Sequence, residues 1–273
     1  MASPNEITVF QLSRLVGTAD APMIVDVRIG EDFAADTRCV PASLRRGHNA
    51  VADWATTCSG RKVVVVCQKG LKLSQGVAAW LRHEGVAAET LEGGFEAWRE
   101  AGQMLVASDP LPPRDARGRT VWVTRERPKI DRIACPWLIR RFVDPGAVFL
   151  FVKSSEVQAV AERFAATPFD IDGVHWSHRG GRCTFDTLLD DLGLDYAPLR
   201  RLADVVRGAD TARLDIAPEA AGLLAVSLGL SRMYRDDLAQ LEAGILVYDA
   251  FYRWCRDATD ETHNWPTPAK PSR

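Results

Sequence analysis

Several absences narrow the reading of this chain before any motif is considered. Its six cysteines stand alone at positions 39, 58, 67, 135, 183 and 255 without a CxxC pair, which argues against a zinc ribbon and against a disulfide framework. No apolar run is long enough to cross a bilayer, and residues 1–6 carry neither a basic lead nor an apolar stretch, so neither a membrane span nor a signal peptide is expected. No basic excess exists either: 34 Lys and Arg against 36 Asp and Glu leave a formal charge of −2, with a pI of about 6.2, and this gives nucleic acid no electrostatic footing. Internal repeats and low-complexity tracts are missing too. The expectation is a cytoplasmic protein with reduced thiols.

What is present is enough apolar residue, 47%, over 273 positions to build two cores rather than one. The most telling stretch runs from Val63 to Ser74. Val63, Val64, Val65 and Val66 are four β-branched residues in a row, the composition of a strand buried on both faces of a parallel sheet. The strand delivers Cys67 to a short loop holding Lys69, Gly70 and Lys72, and an apolar helical pattern begins near Ser74 with Val77, Ala78 and Leu81 on one side. Backbone N–H groups at a helix start, with lysine charge beside them, favour an anion next to the sulfur and the thiolate form of the cysteine. A lone cysteine at a strand end is also a common apolar filler. The flanking residues favour the reactive reading. A cysteine phosphatase shares the strand–loop–helix design but needs an arginine six residues after the cysteine to clamp phosphate, and that position is Leu73. Strands at 23–27, 63–66 and 87–91 alternate with helical stretches at 74–83 and 95–101, which predicts an α/β domain with a parallel sheet and its chemistry at the C-terminal strand ends.

Three motifs in this region resemble the rhodanese family of sulfurtransferases. Ile24-Val25-Asp26-Val27-Arg28 resembles the family's strand ending in Asp-x-Arg, Cys67-x-x-Gly70-x-Lys72 its active loop, and Leu91-Glu92-Gly93-Gly94-Phe95-Glu96-Ala97-Trp98 its closing signature. The likeness covers roughly the first hundred residues. It implies a persulfide at Cys67, stabilised by the loop N–H groups with Lys69, Gly70 and Lys72, while Asp26 and Arg28 order the loop; no cofactor is required. The sequence departs from the family pattern where rhodanese loops carry arginine and then a small hydroxyl residue. Lys72 and Leu73 stand there, and lysine lacks the planar fork that grips an oxyanion with two hydrogen bonds. The family's Gly-His before the Pro-Gly-Ala turn is also replaced, by Thr37-Arg38-Cys39-Val40-Pro41-Ala42.

Asp109-Pro110-Leu111-Pro112-Pro113-Arg114-Asp115 is proline-rich and polar, the composition of an extended, solvated connection. The expected organisation is a rhodanese-like domain at 1–104, a linker at 105–118, a second domain at 119–258 and a loose tail at 259–273. The second domain reads as mainly helical α+β: strands at 120–123 and 148–152, a helix with Pro136 in its first turn, and an almost wholly helical pattern from Thr184 onward. Its segment from Arg127 to Phe142, with Phe169-Asp170-Ile171 and His178-Arg179-Gly180-Gly181-Arg182-Cys183-Thr184-Phe185, resembles the C-terminal domain of the ChrB chromate-resistance family over roughly residues 119–257. That resemblance implies a part in chromate tolerance. Longer members acting as transcriptional regulators carry a different N-terminal region, and Val205-Val206-Arg207 stands where the family often has Ile-Val-His.

Two sites suggest themselves in this second domain. Arg125, Arg127, Lys129, Arg132, Arg140 and Arg141 crowd one loop and helix start around Asp131. They fit an oxyanion site for chromate, sulfate or phosphate, with Arg127, Lys129, Asp131 and Arg132 as its core. They equally fit surface arginines lying over apolar groups and pairing with Asp131 and Asp144. His175, His178 and Cys183 form the compact set of metal-capable side chains, with carboxylates at Glu156, Asp170, Asp172 and Asp186. Imidazole and thiolate suit zinc, iron or copper, though the spacing matches no standard zinc motif. Cys135 reads either as a thiol at a helix start or as one buried beneath Trp137. The resulting expectation is a sulfurtransferase that takes sulfur from thiosulfate or another sulfane donor and passes it to cyanide, glutathione or a protein thiol. The alternative is a non-catalytic redox or oxyanion sensor for chromate stress.

Overall fold

A computed structural model describes residues 5–262, so the expected tail beyond 262 lies outside the described residues. The valine run does what its composition predicts. β1 (Glu6–Ile7), β2 (Met23–Asp26), β3 (Ser43–Arg45), β4 (Lys62–Val66) and β5 (Ala87–Leu91) form one sheet in the order β1-β5-β4-β2-β3, with every pair parallel. β4 is the middle strand. Because side chains alternate across a strand, Val64 and Val66 join one core with Leu12, Phe95 and Trp98, while Val63 and Val65 join another with Val77, Ala78 and Leu81. α1 (Val9–Leu15), α2 (Gly30–Ala35), α3 (Val51–Trp54), α4 (Lys72–His83) and α5 (Gly94–Glu100) connect the strands. α1 and α5 supply the first core, α3 and α4 the second. β3 is a three-residue edge strand of mixed polarity, Ser-Leu-Arg, with no periodicity to reveal it in the sequence.

β6 (Val121–Arg125), α6 (Asp131–Leu138), β7 (Val148–Val152), α7 (Val157–Phe164) and β8 (Thr167–Pro168) follow, with the three strands forming a small parallel sheet in the order β7-β6-β8. The rest is helical: α8 (Thr184–Asp191), α9 (Ala197–Asp210), α10 (Ala220–Met233) and α11 (Asp237–Asp257). Proline 136 does not occupy a first turn as expected. α6 begins five residues earlier, at Asp131, so Pro136 sits inside the helix, which then widens at Ile139–Val143 into a π-helical turn. Trp137 is fully buried at this bend, its ring 5.7 Å from Phe142, 5.6 Å from Tyr252 and 6.3 Å from Phe185.

The two halves share a core. Leu12, Val16 and Trp98 belong to the same buried cluster as Phe142 and Tyr252. Gly17, with φ +77°, lets the Phe142 ring come so close that a methyl at 17 would lie 2.3 Å from it. The Ala42 N–H donates to the Phe142 carbonyl at 2.6 Å. The connection is not solvated at its start: Leu105 and Val106 are buried, and Val106 exchanges backbone hydrogen bonds of 2.9 Å with Cys39. No helix among the described residues is long and apolar enough to cross a membrane.

Candidate functional site

Cys67 stands one residue past the end of β4, between that strand and α4, and is only 4% exposed. Its Sγ lies 3.1 Å from the Ser74 hydroxyl, which also donates to the Leu71 carbonyl at 3.1 Å. Ser74 has one proton. While it serves Leu71, the oxygen accepts from the Cys67 S–H; with a thiolate, the proton turns to sulfur. The hydroxyl missing at Leu73 is therefore supplied one residue later, a site residue the sequence reading treated only as a helix start. α4 begins at Lys72, two residues before the expected start, and its first backbone bond runs from the Gln75 N–H to the Leu71 carbonyl. The N–H groups of Lys72, Leu73 and Ser74 thus have no partner within the helix and gather at the cysteine loop.

The loop is fixed by backbone against backbone. The Phe95 N–H donates to the Cys67 carbonyl at 2.9 Å and the Glu96 N–H to the Gln68 carbonyl at 3.0 Å, so the start of α5 clasps the loop's own carbonyls. This approach needs glycine on both sides. Gly70 (φ +67°) would put a methyl 2.7 Å from the Leu91 carbonyl oxygen, and Gly94 (φ +63°) would put one 2.3 Å from both the Cys67 carbonyl oxygen and the Gly70 nitrogen. Lys69 and Lys72 are exposed and make no ion pair among the described residues, which leaves both charges to the loop's surroundings.

Asp26 and Arg28 are buried and do not reach the sulfur. Arg28 Nη2 meets Asp26 Oδ2 at 2.7 Å and donates to the Arg38 carbonyl at 2.8 Å, Nη1 donates to the Asp36 carbonyl at 2.9 Å, and the guanidinium lies 3.8 Å over the Phe95 ring. Since Phe95 in turn donates to Cys67, the pair steadies the loop through α5.

A second cluster of chemistry-bearing groups lies in the other half. Asp131 opens α6, Asp170 follows β8, His178 sits on the loop before α8, and Asp210 closes α9. His178 Nε2 stands 3.1 Å from Asp210, 3.5 Å from Asp131 and 3.6 Å from Asp170. Asp131 is fully buried; its Oδ2 accepts the Thr184 N–H at 2.6 Å, and its Oδ1 has no donor. Asp170 accepts from the Thr184 hydroxyl at 2.8 Å and faces Arg132 at 3.3 Å and Arg125 at 3.7 Å. Burial, then the neighbouring carboxylates, push Asp170 up to about 6 and Asp210 up to about 7. The same carboxylates, Asp131 foremost through its hydrogen bond, raise His178 to about 9.

Of the expected metal set, only His178 belongs to this cluster. His175 is turned away to Asp191, 2.9 Å from its Oδ2, and is largely exposed. Cys183 caps α8, with its Sγ donating to Asp186 at 3.4 Å; burial, then Asp131 and Asp186, push its thiol far above the ordinary range. Among the carboxylate candidates Asp170 joins the cluster. Asp186 instead pairs with Arg207 at 2.6 Å, while Glu156 and Asp172 lie on exposed turns. Asp210 escaped the sequence reading because it ends an ordinary amphipathic helix with nothing local to mark it. Nor does the structure gather Arg127, Lys129, Asp131 and Arg132 into one pocket. Arg127 donates to the carbonyls of Tyr234 and Ser231, Arg132 to those of Arg125 and Glu126, and Lys129 is exposed. Arg140 and Arg141 pair with Glu242 and Asp249, and Asp144 pairs with Arg114 rather than with the cluster. Cys135 lies inside α6, fully buried, and burial raises its thiol pKa, which removes the helix-start reading.

A parallel sheet carrying a cysteine loop between its central strand and a helix, braced by a buried Asp–Arg pair, defines the class of the first half: residues 8–101 match the family model of the rhodanese-like domain. Residues 122–255 match that of the ChrB C-terminal domain. The chain joins a rhodanese-like domain to a ChrB C-terminal domain. It is 38% identical over 146 residues to protein ChrB of Cupriavidus metallidurans, a match covering 52% of this chain and 43% of that protein, so it spans less than half that relative's length. Among solved structures, a rhodanese-like domain protein from Staphylococcus aureus is 26% identical, over 34% of this chain and 90% of that one, with a TM-score of 0.32. A rhodanese-related protein from Thermoplasma volcanium is 21% identical, over 37% of this chain and 97% of that one, with a TM-score of 0.33.

Proposed function

We propose that the chain is a rhodanese-type sulfurtransferase with Cys67 as its sulfur carrier, working in the cytoplasm as part of chromate tolerance. The Cys67 thiolate attacks the outer sulfur of thiosulfate. The new S–S bond forms as the sulfur–sulfur bond of thiosulfate breaks, and sulfite leaves with the electron pair. The persulfide anion left on Cys67 is held by the N–H groups at the start of α4, by the Ser74 hydroxyl and by the charges of Lys69 and Lys72. A thiophile such as cyanide, glutathione or a protein thiolate then attacks the outer sulfur, and Cys67 departs as thiolate in a ping-pong cycle. The roles of Gly70, Asp26 and Arg28 in this scheme are to shape and steady the loop.

The observation that carries the reading is Ser74 Oγ at 3.1 Å from Cys67 Sγ, inside a loop locked by Gly70 and Gly94. A thiosulfate:cyanide assay tests it: thiocyanate should form with the wild type and not with Cys67→Ser. The absence of turnover in both, with a sulfur donor bound, favours the rival reading of a non-catalytic redox or oxyanion sensor. Lys72 in place of arginine supports that rival, since it weakens the oxyanion grip. The ChrB domain supports the link to chromate, and Arg127, Lys129 and Arg232 line one hollow in it where an oxyanion would find positive charge.

A further inference from the structure

The sulfur-transfer scheme uses none of the acidic cluster around His178, and the ion pairs there do not close. One imidazole nitrogen faces three carboxylates at 3.1, 3.5 and 3.6 Å, and a single N–H serves only one of them. Arg132 and Arg125 approach Asp170 alone. Asp131 keeps a carboxylate oxygen without a donor while its side chain is fully buried, an arrangement that costs free energy unless a positive partner takes it up.

We infer that Asp131, Asp170 and His178 bind a divalent metal ion, with Asp210 as a fourth carboxylate beside it. The three first-named residues each offer a ligand atom, all within 4.8 Å of one another. Neighbouring ligands around an ion with bonds of about 2.1 Å stand roughly 3.0 Å apart in an octahedron and about 3.4 Å apart in a tetrahedron, close to the distances seen at His178 Nε2. Carboxylate oxygens and one imidazole, without thiolate, suit Mn²⁺ or Fe²⁺ and disfavour Cu⁺. Cys183 is excluded as a ligand by its bond to Asp186. The geometry of supply is equally suited: the buried Asp131 is anchored by the Thr184 N–H, Asp170 by the Thr184 hydroxyl, and the half-exposed His178 gives the ion its way in. An octahedral ion held by four protein atoms keeps two positions for an outside ligand. The site differs from the expected set: His178 is common to both, and two aspartates replace His175 and Cys183.

The test uses the full chain, stripped with chelator and titrated with Mn²⁺ alone. Free Mn²⁺ is followed by electron paramagnetic resonance, and the washed protein by elemental analysis. One tightly held Mn²⁺ per chain is expected, with affinity falling at least about tenfold in Asp170→Asn and in His178→Ala and less in Asp210→Asn. Circular dichroism of each stripped variant confirms folding. Asp170→Asn keeps an oxygen for the Thr184 hydroxyl, so it separates lost ligation from a lost fold. Mn²⁺ uptake that is absent, or equal in wild type and in folded Asp170→Asn and His178→Ala, overturns the inference.

Discussion

Cys67 and Cys183 both precede a helix, Cys67 on the loop that leads into α4 and Cys183 directly ahead of α8, yet they are built for opposite ends. Cys183 is the cap of α8: its backbone N–H and its thiol both bond to Asp186, Asp131 stands near, and its thiol is held far above the usual range. Cys67 has a hydroxyl at 3.1 Å in place of a carboxylate, two lysines on its loop, and a backbone clasp that keeps the loop carbonyls occupied by α5. A helix start therefore does not by itself make a thiol reactive. At Cys183 burial raises the thiol first and the neighbouring carboxylates raise it further, because an anion beside the sulfur opposes a second negative charge. The two cysteines let one molecule serve as its own control.

The sharpest way to break the comparison is to remove each sulfur in turn. Cys67→Ser should leave no measurable thiosulfate:cyanide turnover, and Cys183→Ser should keep it, because the serine hydroxyl can hold the Asp186 cap. Loss of turnover in both, with intact folding by circular dichroism, would mean that Cys183 takes part. Next in size is the glycine clasp. Gly94→Ala forces a methyl into the Cys67 carbonyl and a left-handed backbone onto alanine, and should lower stability by about 3 kcal/mol or more, seen as a melting temperature lower by roughly 6–12 °C. Gly76→Ala, in α4 with open space at its Cβ, is the control and should be neutral or slightly stabilising.

Ser74→Ala should reduce the rate of persulfide formation by about tenfold, the loss of one hydrogen bond to a charged sulfur worth about 1.5 kcal/mol, while leaving the fold in place. An unchanged rate would leave the hydroxyl only its bond to the Leu71 carbonyl. The smallest effect belongs to Lys72. Its exposure limits the charge to about 0.5–1 kcal/mol, so Lys72→Ala should weaken thiosulfate binding less than about tenfold and Lys72→Arg should strengthen it. A larger loss would show that the lysine turns inward to grip the anion.

The sequence makes the cysteine loop legible because everything it needs is local. A strand of valines, a glycine at the turn and a helical apolar pattern lie within about twenty residues, and the sheet follows from their alternation. Ser74 is harder to see, since its role depends on the loop's coiling back over one turn of α4. The acidic cluster is harder still. Asp131, Asp170, His178 and Asp210 come from four segments, and only packing of α6, α8 and α9 brings them together. The arginines around position 127 mislead for the same reason: on paper they form one charge cluster, while in space Arg127 reaches the Tyr234 and Ser231 carbonyls, Arg125 and Arg132 face Asp170, and Arg140 and Arg141 pair with Glu242 and Asp249. Pro136 suggests a first helical turn, whereas the chain holds it five residues into α6, just before the helix widens.

The central claim is that sulfur is carried on Cys67 and nowhere else in the chain. Intact-mass spectrometry after incubation with thiosulfate, followed by peptide mapping, tests it directly. One added sulfur on the peptide containing Cys67, missing from Cys67→Ser and unchanged in Cys183→Ser, is the expected result. Sulfur on Cys39, Cys183 or any other cysteine, or an unmodified mass for the wild type, would contradict it.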